Sequence, residues 1–226
     1  MQLEGVIYKR PAIPNTPDRH NGSALGSTFA HDPTLLKTLD SQYIVYATGF
    51  NIPATISNDE KTFSKNGTAL PLGMPWTLPW TTGQLCFGNV TNTSNSTYSC
   101  IWSPDVHEIN GKYYMYYSAS SLLSINSAIG MATSSTRRPG DWMNRGLVFN
   151  SSSRVNWNAI DPALFVDDDG RWYVIFESRY SGTFQYEMDP STGFVKAGAQ
   201  AIQLANDRQW GIEGPAFFKK GNHFHI

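Results

Sequence analysis

The sequence predicts an all-β fold of the β-propeller class, built from repeated four-stranded blades. Three observations carry this expectation. Short apolar and aromatic runs recur at 43–47, 113–117, 172–176 and 223–226, and such runs bounded by turn residues read as strands. Each run follows a tight-turn dipeptide, namely Asp40-Ser41, Asn110-Gly111, Asp169-Gly170 and Gly221-Asn222. Ahead of each turn stands a proline beside or close to an acid: Asp32-Pro33, Pro104-Asp105, Asp161-Pro162 and Glu213-Gly214-Pro215. The prolines are 71, 58 and 53 residues apart, an interval that holds about four strands, as a propeller blade does. A β-sandwich would also give short strands, but four turns in register with four prolines favour the propeller.

The elements follow in order. The first unit has a strand over 34–36, the Asp40-Ser41 turn and the aromatic strand 43–47. It is long, with a Pro-rich insertion from Met74 to Trp80. The second unit has strands at 106–109, 113–117, 128–133 and 147–149. Its Asn-Gly turn is a strong hairpin signal, because both residues accept positive φ. The third has strands at 163–166, 172–176, 183–188 and 200–204. The fourth has strands at 216–218 and 223–226. Runs such as Tyr113-Tyr114-Met115-Tyr116-Tyr117 are apolar without alternation, which predicts burial on both faces. Propellers close with 4–8 blades, whereas the chain holds three units and half of a fourth, with Ile226 inside an expected strand. The chain therefore reads as one domain over 1–226 that is a fragment of a longer protein.

Composition narrows the function. Lys and Arg number 17 against 18 Asp and Glu, a net charge of −1, which argues against a nucleic-acid surface or a basic membrane patch. Apolar runs are far shorter than the ~18 residues of a membrane span. No phosphate-binding Gly-rich loop, Cys-x-x-Cys or His-Glu-x-x-His occurs. Glycosylation acceptors stand at Asn21, Asn66, Asn89, Asn92, Asn95 and Asn150. Three of them lie between the only cysteines, Cys86 and Cys100. A pair bracketing a polar loop reads as a disulfide of an oxidising compartment, with two free buried thiols as the alternative. The expectation is an extracellular protein, although residues 1–18 show no apolar leader segment.

In a propeller the innermost strand of each blade lines a central channel. Acids at the starts of those strands, Asp32, Asp161 and Glu213, would then converge on one mouth. Neighbouring, partly desolvated carboxylates have their pKa values pushed apart, which is what glycoside hydrolysis by an acid and a base requires.

At these residues the chain resembles the five-bladed glycoside hydrolases of family 43, and within them the endo-acting arabinanases. The matching segments are His31-Asp32-Pro33, Trp102-Ser103-Pro104-Asp105-Val106, Ser127 to Ser134, Asn158-Ala159-Ile160-Asp161-Pro162 and Ile212-Glu213-Gly214-Pro215. The resemblance implies a five-bladed propeller, here incomplete, that hydrolyses α-1,5-linked arabinan with inversion and is a monomer when complete. It makes Asp32 the general base, Glu213 the general acid, and Asp161 the residue that orients Glu213 and raises its pKa. Inversion asks for a carboxylate gap of ~6.5–9.5 Å. Substrate contacts carry over to Asp32, Gly130, Asn158, Ala159, Ile160, Asp161, Ser178, Arg179 and Tyr180.

Some positions depart from the pattern. Arg179-Tyr180 stand where arabinanases usually have Phe-Trp, and Glu213-Gly214 replaces the more frequent Glu-Ala. The family often holds a structural metal on the channel axis through a histidine of a late blade, so such an ion belongs to the complete propeller. No metal ligand and no cofactor carries over to this chain. His223 and His225 read as strand residues. His31 reads as packing or a hydrogen bond, and Asp105 as structural. Trp76 and Trp80 read as loop packing, with a sugar platform as the alternative. Two other functions stay open: an exo-acting β-xylosidase or α-L-arabinofuranosidase, which the Asp167-Asp168-Asp169-Gly170 turn also suits, and an inactive carbohydrate-binding propeller.

Overall fold

The computed structural model describes residues 24–38, 40–81, 85–86, 89–90, 98–178, 181–206, 214–216, 218–220 and 223–225. Nearly all regular structure in them is strand. One helical turn, Leu78–Thr81, follows the 3-10 turn Pro75–Thr77, so among the described residues no helix is long and apolar enough to cross a membrane.

The strands form consecutive antiparallel blades. Blade one comprises Thr34–Lys37, Tyr43–Tyr46, Pro53–Ser57 and Thr62–Thr68, with Leu25–Gly26 added in parallel at its outer edge. Blade two comprises Cys100–Ile109, Lys112–Ala119, Ala128–Ser134 and Met143–Asn150. Blade three comprises Ile160–Val166, Trp172–Ser178, Gly182–Met188 and Ile202–Ala205. A two-stranded hairpin, Phe218–Lys220 with His223–His225, opens the fourth unit. The expected repeat and its strands are therefore present.

Several boundaries differ from the reading of the sequence: blade two's last strand begins at Met143 rather than Leu147, and blade three's first at Ile160 rather than Ala163. Blade two's first strand begins at Cys100 rather than near Val106, because Gly49–Phe50 pairs with Cys100 and Ile101 and extends it. The fourth unit's first strand begins at Phe218 rather than Ala216.

Turn chemistry explains the hairpins. Asn110 and Gly111 both have positive φ, 53° and 75°, the geometry that matches the twist of adjoining strands. In blade three the Asp167 carboxylate accepts the backbone N–H groups of Asp169 and Arg171 and pins the Asp169-Gly170 turn.

Cores lie between blades. One cluster joins Ile44, Tyr46 and Ile52 of blade one to Tyr113, Met115, Tyr117 and Trp142 of blade two. Another joins Tyr114, Tyr116, Ile129 and Met131 of blade two to Leu164, Trp172, Val174 and Phe176 of blade three. The strand Lys112–Ala119 thus sends alternate side chains into two different cores, which is why its sequence shows no polar alternation. Two of its hydroxyls are satisfied there: Tyr116 donates to the Gly193 carbonyl at 2.7 Å and Tyr117 to Asn144 Oδ1 at 3.1 Å. On blade one, Tyr46 donates to the Arg137 carbonyl at 2.7 Å and accepts from Trp142 Nε1 at 2.9 Å. Burial pushes the Tyr46, Tyr116 and Tyr117 phenols well above their ordinary pKa.

Candidate active site

The innermost strands all begin with the same local device. Asp32, Ser103, Asp161 and Gly214 each precede a proline, and all four have positive φ: 46°, 45°, 50° and 65°. A left-handed conformation costs a non-glycine residue about 1–3 kcal/mol and persists where the surroundings enforce it, characteristically at functional sites. Strand pairing shows how it is enforced. In blade two, Asp105 opposes Tyr116 and Trp102 opposes Ser118, so two residues face one. Blade three repeats this, with Ala163 opposite Ile175 and Ile160 opposite Glu177. Such a bulge re-aims the extra residue out of the ladder.

The re-aimed residues meet in a cleft of about 370 Å³, lined by Asp32, Ser103, Asp105, His107, Asp161 and Gly214, among others. Asp32 is held at Oδ2 by two groups: Thr48 Oγ1 donates at 2.8 Å and His31 Nδ1 lies at 2.6 Å. Its side chain remains 40% exposed, so it is anchored yet open to the cleft. Asp161 accepts a hydrogen bond from Ser103 Oγ at 2.6 Å. A polar chain therefore crosses three blades, from Asp32 through Thr48 and Ser103 to Asp161.

The backbone amides are tied in the same direction. Ser103 N donates to Thr48 Oγ1 and Asp161 N donates to Ser118 Oγ, both at 2.9 Å. One step further along each strand, Val106 N donates to Thr34 Oγ1 at 3.4 Å and Leu164 N to Asp105 Oδ2 at 2.7 Å. Asp105 is thus a link between blades, in keeping with its structural reading. The same Oδ2 lies 2.9 Å from His107 Nε2. Burial works against a charge on His107, but the hydrogen bond and negative charge of Asp105 prevail and hold its pKa above the ordinary 6.5.

Other sequence candidates stand elsewhere. Gly130 is buried on the third strand of blade two, and a Cβ there would lie 2.4 Å from Trp76 Cζ2 and 2.7 Å from Tyr117 Cε2. Trp76 donates from Nε1 to Asn144 Oδ1 at 3.3 Å and meets Trp80 edge-on at 5.8 Å. Both indoles pack on the core between blades one and two, so they fasten the insertion to the sheet. Asn158 is buried; it accepts from Ser151 Oγ and donates to the Ser124 carbonyl. Ala159 is fully buried, and Ile160 pairs through its backbone with Glu177. None of Gly130, Asn158, Ala159 and Ile160 is among the residues lining the cleft. Ser178 ends the second strand of blade three, paired with Gly182. Arg179, Tyr180 and Glu213 lie outside the described residues, and Glu213 adjoins the cleft residue Gly214 in the chain.

Sequence reading passed over Ser103, Thr48 and Ser118. The signal was available: aligning the repeats on the residue before proline, rather than on the acids, places Ser103 level with Asp32 and Asp161. Among the described residues no three His, Cys, Asp or Glu side chains converge to hold a metal ion. The Sγ atoms of Cys86 and Cys100 are bonded, with their Cα atoms 5.6 Å apart.

A propeller cleft walled by anchored carboxylates is compatible with glycoside hydrolysis. Residues 23–226 match the family model of glycosyl hydrolases family 43, and the chain belongs to that family. It is 33% identical over 213 residues to a probable arabinan endo-1,5-alpha-L-arabinosidase A of Aspergillus terreus, covering 91% of this chain and 62% of that protein. It is 32% identical over 196 residues to the extracellular endo-alpha-(1->5)-L-arabinanase 1 of Bacillus subtilis, covering 87% of this chain and 58% of that protein. A solved family 43 endo-arabinanase from Bacillus licheniformis superposes with a TM-score of 0.74 at 28% identity, covering 89% of this chain and 66% of that one. The chain thus spans about three-fifths of the length of the curated relatives it matches.

Proposed function

We propose that the protein carrying this chain is a secreted endo-acting arabinanase that cleaves α-1,5-linked arabinan with inversion. The observation that carries this is the shared cleft of Asp32, Asp161 and Gly214, the last adjoining Glu213 in the chain. Asp32 takes a proton from water, whose oxygen attacks the anomeric carbon. Glu213 gives a proton to the departing sugar oxygen as the glycosidic bond breaks. Asp161, braced by Ser103, orients Glu213. Holding Asp32 between His31 and Thr48 before substrate arrives supports its role as base, because the carboxylate is already in place. Secretion is supported by the bonded cysteines and by the exposure of Asn66 and Asn150. Ser178, Arg179 and Tyr180 are proposed to contact the sugar chain.

The test uses the full-length protein with linear arabinan and with small aryl arabinosides and xylosides. The reading expects internal cleavage of arabinan, lost by at least about 10²-fold in Asp32→Asn and Glu213→Gln with the fold intact. Near-native hydrolysis by either variant removes the role assignment. Turnover of the small substrates alone moves the protein to an exo-acting reading.

A further inference from the structure

Middle strands of the blades alternate between the blade before and the blade after. In blade one, Ile44 and Tyr46 pack toward blade two, and Thr48 continues that face. In blade two, Tyr114 and Tyr116 pack toward blade three, and Ser118 continues it. Aligning the strands on their turns brings Thr48, Ser118 and Glu177 to one position. The ladder agrees: Ser118 pairs with Trp102 and Glu177 with Ile160, each two residues before its blade's proline. At this position Thr48 and Ser118 each accept, at 2.9 Å, the backbone N–H of the next blade's residue before proline.

Blade three puts a carboxylate there. Glu177 is fully buried, as Ser118 is. It shares a strand face with Tyr173 and Ile175, opposite Trp172, Val174 and Phe176, which pack toward blade two. By the alternation of blades one and two that face is the one for the fourth unit, whose residue before proline is Gly214, left-handed like its counterparts and in the cleft wall beside Asp161 to Leu164 of blade three.

We propose that Glu177 is a positioning residue whose carboxylate accepts the Gly214 backbone N–H and thereby holds the Glu213–Gly214 peptide at the cleft. The chemistry suits the exception. Asp32, Ser103 and Asp161 have side chains of their own to anchor, whereas Gly214 has none and loses more freedom on ordering. A charge-assisted acceptor binds an N–H about twice as strongly as a neutral hydroxyl. The functional consequence rests on the reading of Glu213 as the general acid.

The experiment compares the full-length native protein with Glu177→Ala and Glu177→Gln by amide hydrogen exchange at Gly214, kcat and KM on linear arabinan, and the pH–rate profile. Exchange at Gly214 should rise at least about tenfold in the Ala variant and stay close to native in the Gln variant, which keeps an acceptor oxygen. The Ala variant should lose about tenfold or more in kcat with KM little changed. The Gln variant should recover most of the rate, with its alkaline limb at lower pH, because a like charge near the acid has gone. Unaltered Gly214 exchange in the Ala variant overturns the proposal whatever the activity. Equal losses in both variants that follow loss of folded protein overturn it as well. Glu177-dependent protection of Gly214 in a protein inactive on arabinan keeps the contact and rejects the substrate reading instead.

Discussion

Replacing Ser103 by alanine removes one hydrogen bond, the 2.6 Å contact to Asp161 Oδ1, and leaves the backbone link from Ser103 N to Thr48 available. A hydrogen bond to an ionised carboxylate is worth about 1.5–3 kcal/mol. The site is only partly buried, which favours the lower end, about 1.5–2 kcal/mol. At about 1.36 kcal/mol per tenfold in rate, a contact needed in full to hold Asp161 in the transition state sets a loss of roughly 10- to 30-fold in kcat. KM should change little. The assay is steady-state hydrolysis of linear arabinan by the full-length protein, with circular dichroism to verify folding. A second substitution sharpens it. Ser103→Asp installs the acid of blades one and three beside Asp161, and two carboxyls at that distance cannot both ionise at ordinary cost. Its rate should fall below that of Ser103→Ala near neutral pH and recover in part as the pH is lowered and one carboxyl protonates. A kcat within twofold of native for Ser103→Ala, or a loss confined to KM, would refute the bracing of Asp161 by blade two.

Tyr46→Phe strips a buried hydroxyl from both the Arg137 carbonyl and the Trp142 indole N–H; urea unfolding should show a loss of about 2–4 kcal/mol. Tyr116→Phe breaks only the bond to the Gly193 carbonyl and should cost about 1–2 kcal/mol, so the opposite ranking would contradict the packing described. Gly130→Ala sets a methyl group 2.4 Å from Trp76 Cζ2 and should destabilise by about 1–3 kcal/mol through overpacking, with a changed tryptophan emission; Gly130→Ala combined with Trp76→Leu should recover part of that loss. The His107–Asp105 pair has a raised folded pKa, so its stabilisation is full below about pH 6.5 and is lost as the pH climbs through the folded value. His107→Gln should therefore weaken the protein near about pH 5.5 and leave its stability unchanged near about pH 8.5, as measured by denaturant unfolding at each pH.

Much of the scaffold was legible because it rests on local chemistry. Asn110-Gly111 and Asp169-Gly170 fix hairpins through their own dihedral preferences, and the Tyr113 to Tyr117 run announces burial on both faces. Asp32 and Asp161 were legible as cleft residues because the repeat of prolines orders the strand starts. The register of the acids was harder. Asp105 follows its proline while Asp32 and Asp161 precede theirs, so a reading by acids passes over Ser103, whereas the residue before proline is the one that the bulge of two paired strands re-aims to the cleft. Gly130 and Asn158 show a different difficulty. A buried glycine packed beneath an indole and a buried amide bridging two loops have no local signature in the sequence. The indole that lies over Gly130, Trp76, is 54 positions away in the chain and arrives on an insertion.

The inter-blade amide bonds have a direction as well as a geometry. At Ser103, Val106, Asp161 and Leu164 the later blade supplies the backbone N–H, and the earlier blade supplies the accepting side chain from Thr48, Thr34, Ser118 or Asp105. Synthesis delivers the blades in that same order. Each newly emerged innermost strand meets a neighbour that already displays the acceptors it needs, and it leaves behind acceptors for its successor. Assembly built this way is vectorial: the ribosome's direction and the polarity of the seams coincide. A circular permutation that moved blade one behind blade three would keep these four bonds and reverse the order in which one seam's two halves become available.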